Sequence, residues 1–131
     1  MSDLEPIYHP GTPYTNEEKA HNRQVWVAAL RSGEYQQGTG YLNSGDFCCL
    51  GVLCEVLGVA KRLNDTEEIT MYEGCAATAP KQAVEATGLL TGVGQRNNGV
   101  PSLAELNDEH KLTFEQIANV IENEVEEYFH V

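Results

Sequence analysis

Toward the C-terminal end, Phe114, Ile117, Ala118, Ile121, Val125 and Tyr128 recur at helical spacing. The run Thr113-Phe114-Glu115-Gln116 ahead of them is a capping box, with Thr at the N-cap and Gln three residues on. The spacing predicts one helix through Tyr128. Glu122, Glu124, Glu126 and Glu127 crowd its end, where the helix dipole disfavours negative charge, so that end is expected to fray unless something covers it.

A second helix is predicted from Thr15. Thr15 can serve as N-cap, with Glu17 and Glu18 in the first turn, an apolar stripe at Trp26, Val27 and Leu30, Arg31 in the last turn and Gly33 as the glycine that stops it. Phe47 to Ala60 is apolar nearly all round. Cys49, Val52, Leu53, Val56 and Ala60 keep one helical stripe, and Leu50, Cys54 and Leu57 keep a second beside it. That pattern predicts a buried central helix capped by Asp46. Gly51 inside it implies that another backbone passes close by, since a mid-helix glycine otherwise costs about 1 kcal/mol.

Between these helices, Tyr35 to Leu42 is too glycine-rich for a helix, and Asn43-Ser44-Gly45-Asp46 is turn chemistry. A short strand or β-hairpin is expected from Glu34 to Asp46, and a second strand from Ile69 to Tyr72. Thr78 and Pro80 open a short helix that ends at Gly88, and Thr91 to Pro101 reads as a loop. Pro6, Pro10 and Pro13 exclude a helix from residues 1–14, which read as an extended arm, loosely ordered or laid on a neighbour. The expectation is an α+β fold: three to four helices packed on a small antiparallel sheet, with residues 15–131 as a single domain.

The length of 131 residues allows one core and requires neither disulfide nor metal to hold it. Charge changes the picture more. Twenty acidic residues against eight basic ones give a net charge of −12. Such a field repels phosphate backbones and anionic membrane surfaces, which argues against nucleic acid or membrane as partner. With neither an apolar span nor the charged and apolar regions of a signal peptide, a cytoplasmic protein is expected.

The cysteines are Cys48, Cys49, Cys54 and Cys75. Their spacing lacks the C-x₂₋₄-C knuckles of zinc sites, and neighbouring Cys48 and Cys49 cannot pair without strain, so no metal or cofactor is assigned. They read as small buried hydrophobes. The alternative is an enzyme using Cys48 or Cys49 as a thiolate lowered by a helix N-terminus, with His110 or His21 as base and Asn107 or Asp108 to orient it.

The densest polar candidate is Arg31 to Leu42. Tyr35 and Tyr41 can stack a planar ring, Gln36 and Gln37 can read polar edges, and Gly38 exposes backbone. Arg31 or Arg96 can meet phosphate, and Asn107 and Asp108 can project into a pocket. The structural alternative is a sheet edge with turn glycines. The glycines between Gly92 and Gly99 match neither a Walker loop nor a dinucleotide fingerprint.

Two stretches together carry a resemblance: Trp26-Val27-Ala28-Ala29-Leu30-Arg31-Ser32-Gly33-Glu34-Tyr35-Gln36-Gln37-Gly38 leading to Phe47-Cys48-Cys49-Leu50-Gly51-Val52-Leu53-Cys54, and Ser102-Leu103-Ala104-Glu105-Leu106-Asn107-Asp108 followed by Thr113-Phe114-Glu115-Gln116-Ile117-Ala118. The pattern resembles a family of small uncharacterised proteins of bacteriophage and prophage genomes, over about residues 20–122. The resemblance implies a phage accessory protein in the host cytoplasm. It suggests a non-enzymatic binder of a small nucleotide-like ligand, in counter-defence by sequestering an immune signal. Members of that pattern often carry a basic residue near Thr39; its absence here weakens a phosphate grip at that point. The remaining alternative is an acidic interaction module that inhibits a basic host factor, or an oligomer contact through the acidic tail.

Overall fold

A computed structural model describes residues 5–9, 11–97, 99 and 101–130. Met1 to Leu4 and Pro10 of the expected arm, and Asn98 and Val100 of the expected loop, lie outside the described residues. The fold is α+β. Its elements run α1 (Asn16–Arg31), α2 (Cys49–Leu57), β1 (Lys61–Leu63), β2 (Thr70–Tyr72), α3 (Lys81–Thr87), α4 (Leu103–Asp108), α5 (Phe114–Asn123) and α6 (Val125–Tyr128). Six helices among the described residues replace the expected three to four.

α1 begins where its capping chemistry says it should. The Thr15 side chain accepts from Glu18 N, and the Glu18 carboxylate accepts from Thr15 N. Gly33, at φ +79°, supplies the left-handed residue beyond its end. α4, a helix beyond those expected, is formed by the same reciprocal device between Ser102 and Glu105. α5 starts at the expected Thr113–Gln116 box but stops at Asn123. The break at Glu124 has an electrostatic logic. One continuous helix would place four glutamates at its negative end, whereas a new start at Val125 places Glu126 and Glu127 in a first turn, where the dipole favours them.

The sheet is smaller than expected. β1 and β2 pair antiparallel over three residues each, in the register Lys61 with Tyr72 and Leu63 with Thr70, and all three residues of β1 are exposed. The segment expected as a hairpin forms no strand. It is a loop closed on itself, where Gly38 N donates to Phe47 O at 2.7 Å and Phe47 N donates to Gln36 O at 2.8 Å. Its far side is pinned by Leu42 N donating to Ala76 O and by Thr70 N donating to Asn43 O. Strand pairing here is limited to isolated bridges because each glycine turn redirects the chain before a ladder can extend.

α1 packs on α2, α3 and α5, and α2 packs also on α3 and α4. Seven of the nine residues of α2 are buried. Trp26, fully buried, ties α1 to α2 by donating from Nε1 to Cys49 O at 2.9 Å. α2 starts two residues later than expected, and its N-cap is Cys48 rather than Asp46. The inferred close approach at Gly51 is present: a Cβ there would stand 1.7 Å from the carbonyl oxygen of Leu42. The loop backbone therefore lies directly on the helix surface.

The described part of the arm is tied down on α1. Asn22, fully buried, accepts from Ile7 N at 2.8 Å and donates to the carbonyls of Ile7 and Ala86. Tyr14 Oη accepts from His9 N at 2.9 Å, and the two rings stack at 4.0 Å.

Gly51→Ala tests the packing of loop on helix. Neither backbone can yield without moving an element, so the cost is expected at or above the upper end of overpacking, about 3 kcal/mol. Urea denaturation should read it as a lowered midpoint with an unchanged slope.

Candidate functional site

Four of the sequence-predicted ligand residues come together, but around each other rather than around a hollow. Asn107, at the end of α4 and 1% exposed, is their centre. Its Oδ1 accepts from Gln37 Nε2 at 2.9 Å and from Cys49 N at 3.2 Å. Its Nδ2 donates to Gly38 O at 2.9 Å and to Asp108 Oδ1 at 2.8 Å. The full hydrogen-bonding capacity of an amide is used. Gln37 also donates to Leu112 O at 2.8 Å. Gln37, Gly38, Asn107 and Asp108 thus form a clamp that holds the loop to the start of α2.

The other predicted residues scatter. Arg31 lies on the surface of α5, with Nε donating to Glu115 at 3.1 Å and NH2 donating to Asn119 at 2.6 Å and to Glu122 at 3.2 Å. Arg96 donates to Glu124 at 2.7 Å, approaches Glu127 at 3.5 Å and covers the Tyr128 ring. These two arginines supply the positive charge that the acidic C-terminal helices were expected to lack. Tyr35 packs edge-on against Phe47 at 5.2 Å, Gln36 is exposed, and Tyr41 is 47% exposed. Arg31 and Tyr35 border two different hollows.

The thiols are placed for packing. Cys48, Cys49 and Cys54 are buried and unpaired, and Cys75 is half-buried. Burial pushes the Cys48 thiol up to about 11, overriding the nearby N–H groups of Gly51 and Leu50 that favour the thiolate. Burial likewise raises Cys49 and Cys54. The helix N-terminus acts in the expected direction and loses to desolvation. The proposed bases have other surroundings: His21 Nε2 bonds Glu5 O at 2.6 Å, and His110 is exposed. Among the described residues, no group of three His, Cys, Asp or Glu side chains is placed to hold a metal, and no helix is long and apolar enough to cross a membrane.

A different feature has the shape of a site. A cleft of about 610 Å³ opens between the arm, the start of α1, α3 and the chain end. Gly11, Thr12 and Pro13 of the arm line it together with Lys19 of α1, Lys81 of α3, Gly88 and His130. Gly88 N–H ends α3 on Val84 O, and Gly88 O accepts from His130 N at 2.7 Å. At φ +81° Gly88 takes a conformation that disfavours any other residue, and a Cβ there would meet His130 O at 3.2 Å and the Lys19 chain at 3.4 Å. The ammonium of Lys19 has no ion pair or hydrogen bond among the described residues. Lys81 reaches Glu85, another lining residue, at 3.9 Å. Neither lysine was singled out by sequence reading, because the cleft exists only once the arm is laid across α1 and α3.

A second hollow, about 540 Å³, lies between α1 and α5. Arg23 borders it, donating to Thr87 O at 2.8 Å with its guanidinium over the Phe129 ring at 5.1 Å.

Comparison of the sequence with protein families matches residues 18–125 to a family model described as a domain of unknown function, DUF8296. The chain belongs to the DUF8296 family. Neither the curated proteins nor the solved structures give a match. The family span contains Lys19, Arg23, Lys81 and the whole Asn107 clamp, while the arm wall and His130 fall outside it.

The thiol environment has a testable sign. Cys48 keeps its proton up to about 11 in the fold, against 9.0 ordinarily. The stability this contributes is full below about pH 9 and is lost as the pH climbs toward 11. Denaturation at stepped pH should show that decline. Iodoacetamide at neutral pH should label half-buried Cys75 first and the other three only on unfolding; rapid labelling of Cys48 or Cys49 would contradict the packing role.

Proposed function

We propose that this DUF8296 protein is a non-enzymatic binder of a small anionic, nucleotide-like ligand, seated in the arm cleft rather than along Arg31 to Leu42. One observation carries the reading. In a chain of net charge −12, two of only eight basic side chains line the same cleft, and one of them, Lys19, has no carboxylate partner among the described residues. Leaving a cation uncompensated amid twenty acids is what an anion site requires.

The chemistry matches a phosphorylated ligand. Lys19 and Lys81 supply two point charges from different helices, and glycine at position 88 lets the His130 carbonyl and the Lys19 chain pack against the backbone there. The volume lies within the range of small-ligand pockets, about 300–1,000 Å³. Tyr14, which also lines the cleft, offers a ring edge. The reading takes α2 as the buried central helix, a fixed support that positions α1 and its lysine.

The resemblance to phage and prophage proteins supports an accessory role in the host cytoplasm, where stoichiometric capture of a nucleotide-derived immune signal needs affinity and no turnover. A nucleophile at Cys48 or Cys49 finds no support in the buried thiols.

Calorimetry with ADP-ribose and with a cyclic dinucleotide is the test. One of them should bind with measurable heat and raise the melting temperature. Lys19→Gln and Lys81→Gln should each weaken binding by about tenfold, some 1.4 kcal/mol, while Gln36→Ala should leave it unchanged. Absence of heat and of a thermal shift with both ligands sinks the reading, and binding that depends on Gln36 but not on the lysines moves the site elsewhere.

A further inference from the structure

Three arginines sit on or beside the C-terminal helices, and they are not treated alike. Arg31 holds Glu115 and Glu122, and Arg96 holds Glu124 and Glu127. Among the described residues, Arg23 holds no carboxylate. It is half-buried, its one hydrogen bond goes to the Thr87 carbonyl at 2.8 Å, and one face of its guanidinium lies on Phe129. A guanidinium carries five N–H donors in a planar fork, so most of this fork is unused. Burial disfavours its charge and lowers its pKa, which makes the missing counter-charge more costly still.

Arg23 borders the hollow between α1 and α5, whose floor is apolar. Val27 and Ile121 are buried there, with Ala20, Ala28 and Val125 partly exposed around them. The far end is closed by the Arg31–Glu122 pair. At 1.5 Å rise per residue, Arg23 and Arg31 are about 12 Å apart along α1. The hollow therefore has one open cation, an apolar length and a far end where Arg31 is already matched by Glu115 and Glu122.

We infer that this groove binds an aliphatic carboxylate, its headgroup held by the free edge of the Arg23 guanidinium and its chain laid along Val27, Ala28, Ile121 and Val125. Charge complementarity selects the occupant. A neutral apolar molecule would leave Arg23 uncompensated. A polyanion such as a nucleotide would place further charges on the apolar floor, where they have no partner. A single carboxylate matches the fork in two parallel hydrogen bonds, and a medium-length chain matches the groove. The groove shares no lining residue with the arm cleft, although Arg23 NH1 reaches to 3.7 Å from where a Cβ on Gly88 would stand, at the edge of that cleft.

Decanoate below its micellar concentration is the probe, with decanol and acetate as controls. Decanoate should bind more tightly than either control, because each lacks half of what the groove offers. Nonspecific uptake of an anion is opposed by the net charge of −12, so binding above background is informative. Arg23→Gln should weaken decanoate by about tenfold or more while changing decanol by less than about threefold. Ala28→Trp, which fills the floor, should weaken both, with melting temperature confirming that each variant is folded. Amide chemical-shift changes should centre on Ala20, Val27 and Ile121 and spare Lys81. No decanoate binding, binding indifferent to Arg23→Gln, or shifts centred on Lys81 would overturn the inference. So would a response only to an acidic amphipathic helical peptide.

Discussion

One buried amide holds the architecture together. Asn107 sits where the end of α4, the start of α2 and the Glu34–Phe47 loop meet, and it satisfies Cys49 N–H at the start of α2 and both the Gln37 amide and the Gly38 carbonyl of the loop. A helix start buried in an apolar core leaves N–H groups that water cannot reach. Cys48, the residue at the cap, makes no side-chain capping bond. The acceptor must therefore come from elsewhere in the chain, and Asn107 provides it. With that end fixed, the loop can be pressed so closely on α2 that only glycine fits at position 51.

The same amide explains how the polar strip differs from its sequence reading. A glutamine pair between glycines has the composition of a ligand grip and also of a loop clamp, and composition alone does not separate the two. The difference lies in whether a buried partner faces the amide. That partner is seventy residues away, in a helix whose capping box, Ser102 to Glu105, precedes only six residues. Long-range pairing of this kind leaves no local periodic signal. Local devices were legible: the Thr15 cap and the Thr113 box, the glycines that end α1 and α3, and the close approach at Gly51. Where two local rules competed, the boundary moved. The acidic run after Ile121 reads as one helix by apolar spacing, but its charge favours the break at Glu124 and the Arg96 cover.

Charge placement then separates structure from candidate function. Most of the surplus acid stays on the surface, and Arg31 and Arg96 are spent on the C-terminal helices. Of the four cations without a carboxylate partner among the described residues, Arg62 and Lys111 line neither hollow, whereas Lys19 lines the arm cleft and Arg23 the α1–α5 groove, one helical turn apart. Their side chains converge on Gly88 from one side of α1. The arm completes the cleft because Asn22 fastens it to both α1 and the end of α3. Both hollows thus depend on α1 being held rigidly, by Trp26 on Cys49 O at one level and by Asn22 at another. Sequence reading could find neither, since their residues come from segments separated by more than sixty positions.

The central claim is that the strip after α1 is a structural clamp closed on Asn107. A double-mutant cycle on Gln37→Ala and Asn107→Ala, read by chemical denaturation, tests it most directly. The clamp predicts strong coupling, about 1–2 kcal/mol, because removing either partner already breaks their shared hydrogen bond. Additive losses, within about 0.3 kcal/mol, would mean that Gln37 and Asn107 act independently and that the strip is not the clamp described.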